Sequence, residues 1–353
     1  MNPEVNPNLL MVSSSPHAHS GASVRRIMLD VLIALTPAFS AACWFFRLNA
    51  LRLTATCVLT CLATEWVCRK LMKRENSLGD LSAAVTGVLL AFNLPPELPT
   101  WMAVAGSVFA IAIAKQVFGG LGYNPFNPAL AGRVFMLISF TGAMTTWSRA
   151  NWSYKLAAAA QDAATAATSA AGGLADALTT ATPLGMAKAV LKSGQAIPGF
   201  QPSLFTDFFF GANLNGCVGE TCSIALLAGA VYLLARKVIS WHIPVAYLAT
   251  VFVYAWVLKI CCPGSALPPM AHLLSGGLFL GAFFMATDMV TSPITKKGML
   301  VFGIGCGVIT MLIRTSKTGA YPEGVSFAIL IMNSLTPLIN RATRNRVFGA
   351  KKA

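Results

Sequence analysis

Long apolar runs recur along this chain so densely that they decide its class before any motif is read. Ten of them, centred near residues 37, 60, 87, 109, 137, 224, 250, 279, 305 and 331, read as crossings of a hydrocarbon layer, each of which takes roughly 17 to 25 residues of helix. With 56% of its 353 residues hydrophobic, 11% charged and a mean hydropathy of +0.65, the chain carries more apolar surface than one soluble core buries. The expected fold is an all-α integral membrane protein, because a helix satisfies its own backbone polar groups where no water reaches them.

Charge sets the expected orientation. The opening residues, up to Arg26, contain no apolar run of signal-peptide length, so the first span is expected to direct insertion. Net charge is +14, but Lys and Arg sit in short connections and in the tail NRATRNRVFGAKKA instead of forming one aromatic-laced basic face. That pattern speaks for membrane topology and against a nucleic-acid partner. Ten spans put both termini on one side. Arg25, Arg26, Arg69, Lys70, Lys73, Arg74, Lys115, Arg236, Lys237, Lys296, Lys297 and the tail cations fall on that side, against Arg47, Arg52, Lys259, Arg314 and Lys317 opposite. Both termini are therefore expected in the cytoplasm, and residues 147–213 outside, periplasmic in a Gram-negative host. The Ala-rich part of that segment, LAAAAQDAATAATSAAGG, reads equally as a short helix or as a spacer.

The two halves resemble each other. TGVLLAFNLPPELP (86–99) is similar to LGAFFMATDMVTSP (280–293), and YNPFNPALAGRVFMLIS (123–139) to YPEGVSFAILIMNSLTP (321–337). A repeat of five spans, an odd number, has to be inverted across the membrane. The expected organisation is a cytoplasmic N-terminal segment (1–24), a first five-helix repeat (25–146), an external loop (147–213), a second five-helix repeat (214–340) and a basic cytoplasmic tail (341–353).

Several residues stand out against this apolar background. In GGLGYNPFNPALAGRVF, Asn124 and Asn127 each precede a proline, which pushes them out of helical conformation. Asn127 suits an N-cap and Pro128 a first helical residue, so a fresh helix is expected there with its positive end facing inward. Arg133, inside that helix, should face a ligand, pair with a carboxylate or snorkel. Among Asp30, Glu65, Glu220, Asp288 and Glu323, snorkelling or loop exposure accounts for several, and Glu65 and Asp288 are the better candidates for an ion path. The nine cysteines (Cys43, Cys57, Cys61, Cys68, Cys217, Cys222, Cys261, Cys262 and Cys306) show no C-x-x-C spacing and read as small apolar residues. The four histidines are scattered, and no metal site is assigned.

The external segment contains DALTTATPLG (176–185). Pro183 suits the first position of a short helix in PLGMAKAVLK, with Thr182 as its N-cap. A phosphate on that hydroxyl would sit against free N–H groups and the positive helix end; an ordinary Thr cap reads the same way.

SSPHAHSGASVRRIM, IAKQVFGGLGYNPFNPALAGRVF, DALTTATPLG, HLLSGGLFLGAFFMATDMVTSP and YPEGVSFAILIMNSLTPLI, in this order, resemble the NqrB/RnfD family. That family supplies a membrane subunit to bacterial Rnf (Rsx) ion-translocating electron transport complexes and another to the sodium-pumping NADH:quinone reductase, and the likeness is to the Rnf branch. The resemblance implies FMN attached through its phosphate to a threonine by a flavin transferase, at a pattern close to D-g-x-s/t-g-A-T. Asp176, Thr179, Ala181 and Thr182 match that pattern, with Ala177 and Thr180 where glycine is usual; the implied acceptor is Thr182. It also implies a noncovalent flavin, riboflavin, in some members, expected here near Asn124, Asn127 and Arg133. Relatives often read PLID at the end of the last span, where this chain has Asn340. The implied partners are the sibling subunits A, B, C, E and G, ferredoxin and NAD through the complex, and membrane lipid. The implied activity is electron transfer between ferredoxin and NAD coupled to moving Na+ or H+ across the bacterial inner membrane, with no side chain of this chain acting as an acid–base catalyst. A quinone-reductase component, a solute channel or transporter of inverted-repeat fold, and a flavin-free scaffold are the rival readings.

Overall fold

Helices supply all the regular structure among the described residues, which in this computed structural model are 23–146, 184, 209, 216–220, 222–261, 267–316 and 324–344. Among these described residues, five helices are long and apolar enough to cross a membrane: α1 (Val24–Phe46), α2 (Leu48–Leu71), α7 (His242–Cys261), α10 (Lys296–Thr315) and α11 (Val325–Ala342). Between them lie shorter apolar helices, α3 (Ser82–Phe92), α4 (Thr100–Gln116), α5 (Pro128–Ser139) and α6 (Ser223–Ala235), followed by α8 (Pro269–Leu274) and α9 (Leu278–Met285). Every apolar run picked out from the sequence thus contains a helix, but about half of these helices are short.

Interruption is what shortens them. At 1.5 Å per residue, α3 is about 16 Å long, half of a hydrocarbon core of about 30 Å. It stops at Asn93, ahead of Leu94-Pro95-Pro96, because a residue before proline avoids the helical region. α9 is the matching case, a single α-turn that passes into π-type winding over Gly281–Met285 and ends there. α4 also finishes in π-type winding, over Phe109–Gln116. A proline is tolerated inside α1 because the carbonyl that Pro37 leaves free, that of Ile33, accepts the hydroxyl of Thr36 at 2.7 Å.

Helix pairing follows small residues, which let backbones approach in lipid. α7 and α10 form the most extensive pair. A Cβ on Gly303 would lie 2.8 Å from the Ile243 carbonyl, and one on Gly307 2.6 Å from Thr250 Cβ. α1 packs on α6 just as closely: a Cβ on Gly229 would run into the Ala34 carbonyl oxygen. α2 packs on α3 and α4, and α5 packs on α4 and touches α11. One continuous core of buried apolar residues, including Leu35, Leu90, Phe92, Leu130, Tyr247 and Phe302, runs through these contacts.

Lys115 and Arg314 depart from expectation. Read as connection-loop cations, they are instead 1% and 4% exposed. Each has found a polar partner inside the bundle, so neither reports on topology. Glu220, in the turn before α6, also keeps its side chain turned inward, 8% exposed.

Candidate functional site

The interrupted helices converge on a buried polar junction. The chain leaving α3 runs alongside Gly216–Glu220: the N–H of Gly219 donates to the Phe92 carbonyl at 2.9 Å and that of Val218 to Leu94 at 3.2 Å. The Cys217 thiol donates to the Asn93 carbonyl at 3.2 Å. The Asn93 amide nitrogen donates back to the Leu89 carbonyl at 2.6 Å and lies 3.6 Å from the Met285 sulfur, so the ends of α3 and α9 meet at this residue. Carbonyls freed at the end of α3 are therefore satisfied by protein, as burial away from water requires.

Arg133 closes the junction from α5. Its Nη1 donates to Asn93 Oδ1 at 2.6 Å, and its Nη2 contacts Cys217 Sγ at 3.8 Å and the Glu220 carboxylate at 3.8 Å. Of the roles open to it from sequence, the structure shows a buried arginine paired to a carboxylate. Asn127 behaves as expected of an N-cap, accepting the N–H of Ala129 at 3.1 Å with Pro128 first in the helix. It also donates to the Met285 carbonyl at 3.3 Å, tying the start of α5 to the end of α9. With its amide turned to satisfy both ends, Asn333 of α11 accepts the Asn127 N–H at 3.2 Å and donates to Ile329 at 3.3 Å.

A second cluster is built around Glu65, fully buried on α2. One oxygen, Oε1, accepts from Lys115 Nζ at 2.9 Å, Gln116 Nε2 at 2.8 Å and Ser77 Oγ at 2.8 Å. The π-type winding that ends α4 turns the consecutive side chains of Lys115 and Gln116 toward this one carboxylate. Lys115 also donates to Ser82 Oγ at 2.6 Å, at the start of α3. The other carboxylate oxygen, Oε2, and Gln116 Oε1 are buried with no hydrogen-bond partner.

Beside this cluster a cavity opens between α1, α3, α5, α6 and α9. Its polar lining includes Lys115, Ser82, Asn124, Asn127, Thr287 and Asp288. Asn124 donates to the Phe126 carbonyl at 3.0 Å, while its Oδ1 is buried without a partner. Asp288 accepts from Thr291 Oγ1 at 3.1 Å. The structure thus brings Asn124, Asn127 and Asp288 to one cavity, with Glu65 one residue behind it through Lys115. Arg133, grouped with the two asparagines from sequence, is not among the lining residues and belongs to the junction instead.

Arg314 of α10 holds a third place. Its Nη1 donates to the His272 carbonyl at 2.5 Å, and its Nη2 to Ser275 at 2.9 Å and Gly276 at 3.3 Å, so it closes the C-terminal end of α8. Asn340 accepts the N–H of Ile294 at 3.1 Å, a role that needs no charge. Asp176, Thr179, Ala181, Thr182 and Glu323 lie outside the described residues.

Sequence reasoning missed Asn93, Gln116, Ser77, Ser82 and Cys217. Asn93 carried a usable signal, an amide placed before Leu-Pro-Pro at a helix end, as did Gln116 by adjoining an intramembrane lysine. Nothing local marked Cys217, whose role depends on a strand-like pairing with residues 124 positions away.

Three relatives bear on what such a bundle does. The D subunit of the Na(+)-translocating ferredoxin:NAD(+) oxidoreductase complex of Acetobacterium woodii is 47% identical over 97% of this chain and 96% of its own length. Its counterpart in the proton-translocating ferredoxin:NAD(+) oxidoreductase complex of Clostridium ljungdahlii is 41% identical over 99% of each. That of the ion-translocating oxidoreductase complex of Escherichia fergusonii is 40% identical over 97% of this chain and 99% of that protein. The family model described as NQR2, RnfD, RnfE family matches residues 11–349. With near-complete coverage by both kinds of likeness, the chain belongs to the NQR2, RnfD, RnfE family.

Proposed function

We propose that this chain is the membrane subunit of an ion-translocating ferredoxin:NAD(+) oxidoreductase complex, relaying electrons through FMN carried on Thr182 and working with the sibling subunits A, B, C, E and G. The observation that carries the reading is end-to-end likeness to relatives so named, at up to 47% identity. A flavin passes one or two electrons, which suits a relay between different carriers; the protein supplies its position and its electrostatic surroundings. The coupled ion is Na+ or H+, and its path in this chain passes Glu65, which Lys115 bonds, and Asp288, which lines the same cavity as Lys115. A noncovalent flavin, riboflavin, lies against Asn124 and Asn127, where the unpartnered Asn124 Oδ1 offers an acceptor.

In this reading the chain spans a bacterial inner membrane ten times as two inverted repeats, with cytoplasmic termini and residues 147–213 in the periplasm. Two observations support the repeat. Counterpart helices pack on one another, α1 on α6 and α5 on α11. In each half a cation near the end of the fourth element reaches the segment that opens the broken third element: Lys115 to Ser82, and Arg314 to Ser275 and Gly276. The junction also speaks against a solute channel. Among the described residues, the backbone groups freed where α3 stops are taken by Gly219, Val218 and Cys217, which leaves no ring of open carbonyls for a permeating solute.

Membrane vesicles from a strain expressing the full set of subunits test the reading. Reduced ferredoxin should drive NAD(+) reduction or the reverse, with ion uptake, and the tagged chain should copurify with its siblings and carry covalent flavin. Thr182→Val should abolish the electron transfer while the assembly still copurifies. Full activity in that variant would contradict the proposal.

A further inference from the structure

α7 and α10 run side by side in the same direction. A Cβ on Gly303 would lie 2.8 Å from the Ile243 carbonyl oxygen and one on Gly307 3.2 Å from that of Tyr247, four residues on in both helices. Beside this close approach a groove of about 710 Å³ opens, lined by α7 from Ala246 to Leu258 and by Leu300 and Ile304 of α10. It lies on the outer surface of the bundle, since Val253, Val257, Leu300 and Ile304 are exposed. Its α7 residues recur at spacings of three and four, which places them on one helix face. The walls are apolar. Thr250 turns its hydroxyl back to the Ala246 carbonyl at 2.7 Å, and Tyr254 is the other polar side chain among the described lining residues.

One end of the groove is basic. Lys296 and Lys297 stand four and three residues before Leu300, on the face of α10 that Leu300 and Ile304 continue. Ser240 Oγ donates to Met299 Sδ at 3.1 Å, which sets the start of α7 level with the start of α10. Trp241 is exposed there, as aromatic side chains are at headgroup depth. The hydroxyls of Thr295 and Thr343, 2.6 Å apart, bring the end of α11 to the same place, with Arg341 and Arg344. Lys296, Lys297, Arg341 and Arg344 are exposed, and no carboxylate pairs with them among the described residues. Lys259, at the far end of α7, follows the spacing of Phe252 and Trp256 and is not in the lining.

From this arrangement we propose that the groove between α7 and α10 binds one anionic phospholipid, with its phosphate at Lys296 and Lys297 and an acyl chain laid along α7 toward Leu258. Basic ends of clefts between membrane helices suit such headgroups, and an apolar wall suits the chain. Length favours a lipid over a helix of another subunit. From Ala246 to Leu258 the groove runs about 18 Å, close to one leaflet of hydrocarbon, about 15 Å, whereas a crossing helix needs a track of about 30 Å.

Two experiments test the site. In the first, the full chain in mild detergent is mixed with equal amounts of phosphatidylglycerol and phosphatidylcholine of identical chains, and native mass spectrometry reads what it retains. Phosphatidylglycerol should be preferred, and the preference should fall about fivefold for each lysine removed in Lys296→Gln and Lys297→Gln. Ala249→Phe, which fills the groove, should lose the bound lipid, while Lys259→Gln should retain it. Size-exclusion elution confirms the fold, and the lysine variants carry the test if Ala249→Phe does not fold. Equal retention of both lipids by the wild type, or a loss in Lys259→Gln as large as in the other lysine variants, would overturn the proposal. In the second, photoreactive benzoylphenylalanine replaces Val253 in membranes of a strain expressing the full set of subunits. The expected adduct has the mass of a phospholipid; a crosslink to another subunit in its place would overturn the proposal and assign the groove to a protein interface.

Discussion

Removing Lys115 should be among the most damaging single changes available in this protein. Lys115→Met deletes one of three donors on Glu65 Oε1 and the only cation placed on that carboxylate by the described contacts, leaving Gln116 Nε2 and Ser77 Oγ. Ser82 loses a partner but keeps Asp80 Oδ1 at 2.6 Å. With Glu65 fully buried, the cost is that of an uncompensated interior charge, about 3 to 5 kcal/mol. Glu65→Gln together with Lys115→Met removes both charges, keeps the shape and leaves an amide for Gln116 and Ser77 to meet, so most of the loss should be recovered, to within about 1 kcal/mol of the parent. Reversible unfolding in mixed detergent micelles, followed by tryptophan fluorescence, reads both variants and their coupling. A single mutant as stable as the parent, or a double mutant no better than the single, would refute the placement of a charged pair here.

Three other changes separate packing from hydrogen bonding. Gly229→Leu drives a side chain into the Ala34 carbonyl between α1 and α6, where only backbone movement could relieve it; a loss of at least about 1 to 3 kcal/mol is expected, with Gly142→Leu, whose Cβ would meet nothing within 4 Å, as the neutral control in the same unfolding assay. Asn127→Ala removes both the cap of α5 and the bond to Met285, costing about 1 to 2 kcal/mol, whereas Asn127→Asp keeps the cap and should lose only part of it. Arg133→Lys keeps the charge opposite Glu220 but not the planar fork that also serves Asn93 and Cys217, so about 1 to 2 kcal/mol of stability should go in the same measurement.

What the sequence made legible follows from what is local. Apolar length and the positions of proline are local, so the helix sites, the break around Asn124 and the Asn127–Pro128 helix start could be read directly, and the structure has them. The stops inside α3 and α9 were visible only as an unusual likeness between residues 86–99 and 280–293. Their meaning, two helix ends meeting at Asn93 and Met285, needs the tertiary contact. Charge misled where burial overrode it. Lys115 and Arg314 look like topology markers because they sit at helix ends, yet each is drawn inward by an acceptor that lies far away in sequence, 50 residues for Glu65 and about 40 for the end of α8. Arg133 was legible as an interior residue but its carboxylate was not, since Glu220 joins it from 87 positions further along the chain.

The most direct test of the central proposal is mass spectrometry of the peptide that contains Thr182, with flavin fluorescence in a denaturing gel, for the native chain and for Thr182→Val, each coexpressed with a flavin transferase. A covalent relay predicts a peptide heavier by FMN less water and a fluorescent band, both lost in Thr182→Val. Neither signal in the native chain, while the same transferase modifies another target, would contradict it.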